Sequence, residues 1–135
     1  MRAADPAAWA DKWIGRPFED RGRGPRAFDC WGLVRAVLEE QRGVELPRWD
    51  DYETTSDQAR LAAVVVKARP RFVRVELPEV CDLVLFRMLG SPSHVGVCVG
   101  GTWFLHVMEG VNSALERWSA PAWSARVEGF YRWNP

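Results

Sequence analysis

The sequence predicts an α+β domain in which N-terminal helices pack on a small antiparallel sheet. Cys30, Leu33, Val34, Val37 and Leu38 repeat at i, i+3, i+4, i+7 and i+8, the spacing of a buried helix face. Beyond Pro70 the pattern turns to short apolar runs with strand character. Helices first and strands later, joined by short connections, is the α+β order. With 135 residues, 47% of them hydrophobic, the chain has the size of a single domain, residues 1–135. It can bury a core without disulfides or a structural metal.

Asp5 followed by Pro6 reads as a helix cap and first-turn proline, with Trp9, Trp13 and Ile14 on one apolar face ending at Gly15. From Arg16 to Phe28 the chain is glycine, proline and charge, a loop. The helix begun at Cys30 closes at Gly43, with Asp29 placed to cap its first turn. Ser56 caps a further predicted helix from Asp57 to Ala68, although Val64, Val65 and Val66 oppose it by propensity. Strands are expected at Phe72–Val75, Asp82–Arg87, His94–Val99, Thr102–Val107 and Arg126–Trp133.

Eighteen Lys and Arg balance eighteen Asp and Glu, so the chain lacks the positive field that nonspecific nucleic-acid binding uses. Arg16, Arg21, Arg23 and Arg26 crowd the first loop, either as an anion site or as a solvated stretch. No run reaches the roughly 18 apolar residues of a membrane span. The start, MRAADPAAWADKW, lacks the h-region and cleavage site of a signal peptide. Synthesis in the cytoplasm is therefore expected, with export only if another machine carries the protein. Cys30, Cys81 and Cys98 are odd in number and irregularly spaced, which predicts neither a disulfide framework nor a zinc site, and no cofactor is expected.

At least one thiol is free, and only the thiolate is a good nucleophile. Cys30 stands in the first turn of its helix, where unpaired N–H groups and the helix dipole favour that anion and can also stabilise an oxyanion. The competing reading makes Cys30 a small core residue on an apolar stripe. Cys81 and Cys98 lie in or beside apolar strand patterns and read as core. The chain has two histidines, His94 and His106, flanking Gly100 and Gly101 between apolar runs: a hairpin with an imidazole on each arm. A two-residue Gly100–Gly101 turn places the rings on opposite faces. A three-residue loop, residues 99–101, pairs His94 directly with His106, with Cβ atoms ~5 Å apart. The catalytic reading therefore requires an odd loop or a bulge. His94 is then a general base toward Cys30, and His106 fixes its tautomer.

The blocks FDCWGLVR, DLVLFR and HVGVCVGGTWFLHV, in the order Cys, His, third polar residue, resemble the NlpC family of bacterial and phage cell-wall peptidases. The resemblance runs from about Trp13 to about Gly110. It implies a papain-like α+β fold and cleavage of peptide bonds in the peptidoglycan stem, typically between D-glutamate and the diamino acid. It also implies Cys30 as nucleophile, His94 as base and His106 as the orienting residue. The Trp after the cysteine and the lead-in WIGRPFEDRGRGP look most like variants from phage tail and gene-transfer-agent clusters, which implies other tail proteins as partners, incorporation in a virion and delivery to the periplasm. Many relatives that trim free stem peptides carry Asp-Cys-Ser and an upstream Tyr that help hold the substrate amine. Here Asp29 remains, while Trp31 and Phe18 stand at the other two places, so these three are the expected substrate-binding residues and a glycan-attached or cross-linked substrate is expected. Cys81 stands where the family usually has the Gly of a Gly-Asp pair. Two other readings are a tail-tip module of weak activity and an acyltransferase of related Cys-His fold.

Overall fold

The computed structural model describes residues 5–48 and 71–134, so the predicted helix at 57–68 lies outside the described residues. Their elements are a 3-10 helix (Ala8–Trp13), α1 (Cys30–Arg42), β1 (Phe72–Val75), β2 (Leu83–Met88), β3 (Ser91–Gly100), β4 (Trp103–Met108), β5 (Val111–Arg117), α2 (Pro121–Ser124) and β6 (Val127–Trp133). The strands form one six-stranded sheet in the order β1-β6-β2-β3-β4-β5, antiparallel at every pairing. The predicted α+β class with a papain-like arrangement of helix on antiparallel sheet is what the chain adopts.

Helix α1 follows its sequence signals closely. Asp29 caps it by accepting the Gly32 N–H at 2.8 Å, and Gly43 ends it in the left-handed conformation at φ 65°. All five stripe residues are buried. They meet Leu83, Val95, Val97, Val99, Leu105 and Val107, which line one face of the sheet. The opposite face carries a smaller aromatic cluster of Val84, Phe86, Cys98, Phe104 and Trp123.

The N-terminal helix departs from expectation. Its cap is Ala7 and makes no side-chain hydrogen bond, so the Asp5 cap does not form. The Ala7 N–H instead bonds the Val99 carbonyl at 2.7 Å, which ties this segment to the end of β3 and delays helix entry. The helix is then 3-10, so Ala10 and Trp13, three apart, make its buried face while Ile14 is left 43% exposed. Two elements, β5 and α2, were not anticipated. β5 reads VNSALER, without apolar alternation, and α2 is a single turn started by Pro121.

The β3–β4 hairpin has neither of the two loops weighed above. Gly100 pairs with Trp103, leaving Gly101 and Thr102 as the turn, and the register then slips so that Cys98 pairs with Phe104 and Val97 with Leu105. The slip is a bulge at Val99, whose carbonyl is occupied by Ala7. Continuing this register sets His106 across from Gly96, with His94 two places further along β3. The histidines therefore share a face, as the catalytic reading requires, but they are diagonal neighbours and not a direct pair.

Candidate active site

His94 and His106 alternate with Val95, Leu105 and Val107, which point at α1, so the imidazoles lie on the aromatic face of the sheet. The ring of His94 stacks with Phe86 and Trp123, both at 5.8 Å between centroids. His106 packs on Phe104 at 4.5 Å and meets Trp123 edge-on at 5.0 Å. Nε2 of His94 lies 2.9 Å from Nδ1 of His106, and Nε2 of His106 lies 2.6 Å from Oε2 of Glu116. The other carboxylate oxygen, Oε1, accepts Nε1–H of Trp123 at 3.0 Å.

The expected His94–His106 contact is thus present, with two further members that the sequence reading missed. The signal for Glu116 was its parity. His106 pairs with Ala114 across β4 and β5, so Glu116, two places on, shares its face; seeing this required recognising β5.

Gly96 makes the diagonal contact possible. A Cβ there would lie 2.8 Å from the Phe104 ring and 3.0 Å from the Leu105 carbonyl, with His106 Cβ at 3.4 Å. Gly96→Ala is expected to cost about 1–3 kcal/mol by overpacking and to displace His106, read as a lower urea midpoint and altered imidazole NMR shifts. An unchanged midpoint and unchanged shifts would contradict this.

Cys30 lies where the sequence put it, first in α1, with 3% of its surface exposed. The main-chain N–H groups of Val95, the residue after His94, and of Trp31 act on its sulfur in the direction that favours the thiolate. The thiol therefore lies at the His94 end of β3, but among the described residues no hydrogen bond joins it to the imidazole. The expected thiolate is not favoured in this state either. Burial, and then the adjacent Asp29 carboxylate, push the Cys30 thiol up to about 12, outweighing the N–H groups and Arg23. Burial, reinforced by His106, pushes His94 down to about 3. His106 is also lowered by burial, against the opposing pull of Glu116. The resting pair is neutral thiol and neutral imidazole.

These shifts fix the pH dependence of stability. A histidine with a lowered folded pKa contributes stability that is fully present above its ordinary 6.5 and is lost as pH falls toward the folded value. The raised Cys30 contributes stability present below its ordinary 9.0 and lost as pH rises toward 12. A plateau in the urea midpoint is expected between about pH 6.5 and 9, with slopes on each side of up to about 1.4 kcal/mol per pH unit per group. A midpoint that stays flat down to about pH 4 would contradict the histidine assignment.

The three expected substrate contacts are differently placed. Asp29 is fully buried, and besides capping α1 its Oδ1 accepts Nη1–H of Arg23 at 2.8 Å; the two side chains are 0% and 2% exposed. Trp31 is 2% exposed, in the main core, with Nε1–H donated to the Pro47 carbonyl at 3.0 Å. Phe18 is half-buried against the same core and bridges to Phe28. None of the three lines an open surface beside the histidines.

Of the loop arginines, Arg23 is committed to Asp29. Arg16 donates to the Pro25 and Lys12 carbonyls, and Arg21 and Arg26 are exposed. Cys81 has φ 75°, in the left-handed region, a physical reason for a glycine preference at that place.

In the first turn of α1, Asp29 takes the N–H groups of Gly32 and Leu33, through its carboxylate and its carbonyl. Among the described residues this leaves the N–H of Cys30 itself unpaired and available to an oxyanion.

A capped-helix cysteine packed on an antiparallel sheet with a buried histidine pair defines a Cys-His α+β class, and the comparisons agree. The model of the NlpC/P60 family matches residues 15–132, and the chain belongs to the NlpC/P60 family. It is 29% identical over 114 residues to the murein DD-endopeptidase MepS/murein LD-carboxypeptidase of Escherichia coli K12, covering 84% of this chain and 54% of that protein. It is 28% identical over 142 residues to the gamma-DL-glutamyl hydrolase of Bacillus subtilis 168, covering 98% of this chain and 31% of that protein. The chain thus spans about half the length, or less, of these curated relatives. An NlpC/P60 family protein from Bacillus cereus ATCC 10987 superposes with a TM-score of 0.68 at 21% identity, over 93% of this chain and 38% of that one, a likeness of fold.

Proposed function

We propose that this chain is a cysteine peptidase that hydrolyses peptide bonds of the peptidoglycan stem, with Cys30 as nucleophile, His94 as base and His106 as the residue that orients it. The observation that carries the reading is the hydrogen-bonded His94–His106 pair, together with a thiol at a helix N-terminus whose sulfur feels the main chain of Val95, the residue after His94. Family membership, and relatives named as an endopeptidase and a hydrolase acting on murein or glutamyl bonds, support it. On substrate binding His94 takes the thiol proton as sulfur attacks the carbonyl carbon. The acyl-enzyme forms as the amine leaves with that proton, and water then releases the acid. The thiol–imidazole hydrogen bond absent at rest is made in the substrate complex, as catalytic hydrogen bonds often tighten only there.

The finer reading is a tail-tip component of a phage-like or gene-transfer-agent particle, made in the cytoplasm and delivered to the periplasm to open the wall during DNA transfer, with other tail proteins as partners. The Arg23–Asp29 pair supports a substrate that does not rely on a free amine, because the Asp29 carboxylate already holds a cation. The buried, protonated thiol favours one alternative, a catalytically weak tail-hub module that keeps the fold.

The test is digestion of purified peptidoglycan, with released termini identified by mass spectrometry and Cys30→Ala as control. New termini absent from the control support the peptidase; none, or equal amounts from both proteins, leaves the tail-hub reading. Detection of the chain in purified particles, or its absence, decides the delivery proposal.

A further inference from the structure

The hydrogen bonds on the aromatic face form a directed chain whose direction one group sets. A carboxylate can only accept. With Glu116 ionised, His106 must donate through Nε2, so its Nδ1 carries a lone pair. That lone pair, 2.9 Å from His94 Nε2, can be matched only by an N–H on that nitrogen. The single unprotonated nitrogen left on His94 is Nδ1. We propose that Glu116 is a positioning residue that sets the tautomers of both histidines, leaving Nδ1 of His94 as the proton acceptor for Cys30. The catalytic half of this statement rests on the peptidase reading; the tautomer half does not.

Partial burial acts to raise the Glu116 pKa, but the hydrogen bonds from Trp123 and His106 outweigh it and bring the carboxyl below its ordinary value, so the acceptor-only form holds at neutral pH. Burial keeps both imidazoles neutral, as the chain requires.

Trp123 makes the inference testable by inversion. Its Nε1–H can only donate, and it lies on Oε1 of Glu116 at 3.0 Å. In Glu116→Gln the amide must keep its oxygen toward Trp123, which turns the NH2 group toward His106. Nε2 of His106 must then accept and Nδ1 must donate, and the inversion passes to His94, whose Nδ1 becomes protonated. The variant alters no size and removes one charge, yet it takes away the lone pair the thiol needs. Adding Trp123→Phe frees the amide to turn its oxygen back to His106, and the original tautomers return.

The experiment is nitrogen NMR of the imidazoles in the full chain at about pH 7.5, alongside turnover and thermal midpoint. Wild type should show N–H at Nε2 of both rings, Glu116→Gln should show N–H at Nδ1 of both, and the double variant should revert. If peptidoglycan is turned over, Glu116→Gln should lower kcat about 100-fold or more with KM within about threefold, and the double variant should recover part of it. Tautomers unchanged in a folded Glu116→Gln protein overturn the proposal, as does an inverted base with kcat intact. Inverted tautomers in a protein with no hydrolase activity uphold the positioning role and reject the peptidase reading.

Discussion

Alanine at Arg23 should lower unfolding stability by about 3–5 kcal/mol, because it strands a buried carboxylate. Asp29 has no exposed surface, and Arg23 meets it at 2.8 Å with a side chain 2% exposed. The guanidinium also donates to the Gly22 and Arg48 carbonyls, so its loss leaves those acceptors short as well. The damage reaches the candidate site directly, since the same Asp29 oxygen caps the helix that begins with Cys30. Breaking one partner of a buried pair is costly, whereas replacing both costs far less. Arg23→Met combined with Asp29→Asn is therefore expected to recover most of the loss, because asparagine can still cap. Urea unfolding of the two single variants and the double decides it; additive losses across the cycle would mean that the two groups do not act as a pair.

Cys30→Ala should reduce turnover of peptidoglycan by about 10⁴-fold or more, since without the nucleophile only binding and electrostatic stabilisation remain. That corresponds to about 5.5 kcal/mol of transition-state stabilisation. Folding should change little, because alanine leaves out one sulfur atom from a packed site and removes a group whose burial opposes ionisation. His94→Ala should cost comparably in kcat, as nucleophile and base act as a unit, and the double variant should be no worse than either single one. Losses that multiply in the double variant would place the two residues in separate roles. Alkylation adds a second measurement: the raised thiol predicts slow labelling at neutral pH that accelerates toward alkaline pH.

Much of the fold was legible because local rules and tertiary demands coincide there. Asp29, the stripe from Cys30 to Leu38, and Gly43 each signal the same helix, and burial of that stripe confirms each signal. Strands β1, β2, β3, β4 and β6 were readable from runs such as LVLF and FLHV, whose apolar residues face the two clusters. β5 was not, because its Asn, Ser, Ala, Glu and Arg are held by pairing with β4 and not by apolar alternation. Glu116 was lost with it.

By itself the sequence picked out the residues to which the proposed chemistry is assigned: a cysteine in the first turn of a capped helix and two histidines on one hairpin. Tertiary structure alone decided how they stand. The N-terminal segment bonds the Val99 carbonyl at the bulge that puts both imidazoles on one face. Packing of α1 buries the thiol beside Val95 and holds its proton on, and an arginine six residues upstream of Asp29 fills its carboxylate. Register, protonation and pairing depend on groups distant along the chain, and hydrophobic period and local propensity carry no record of them.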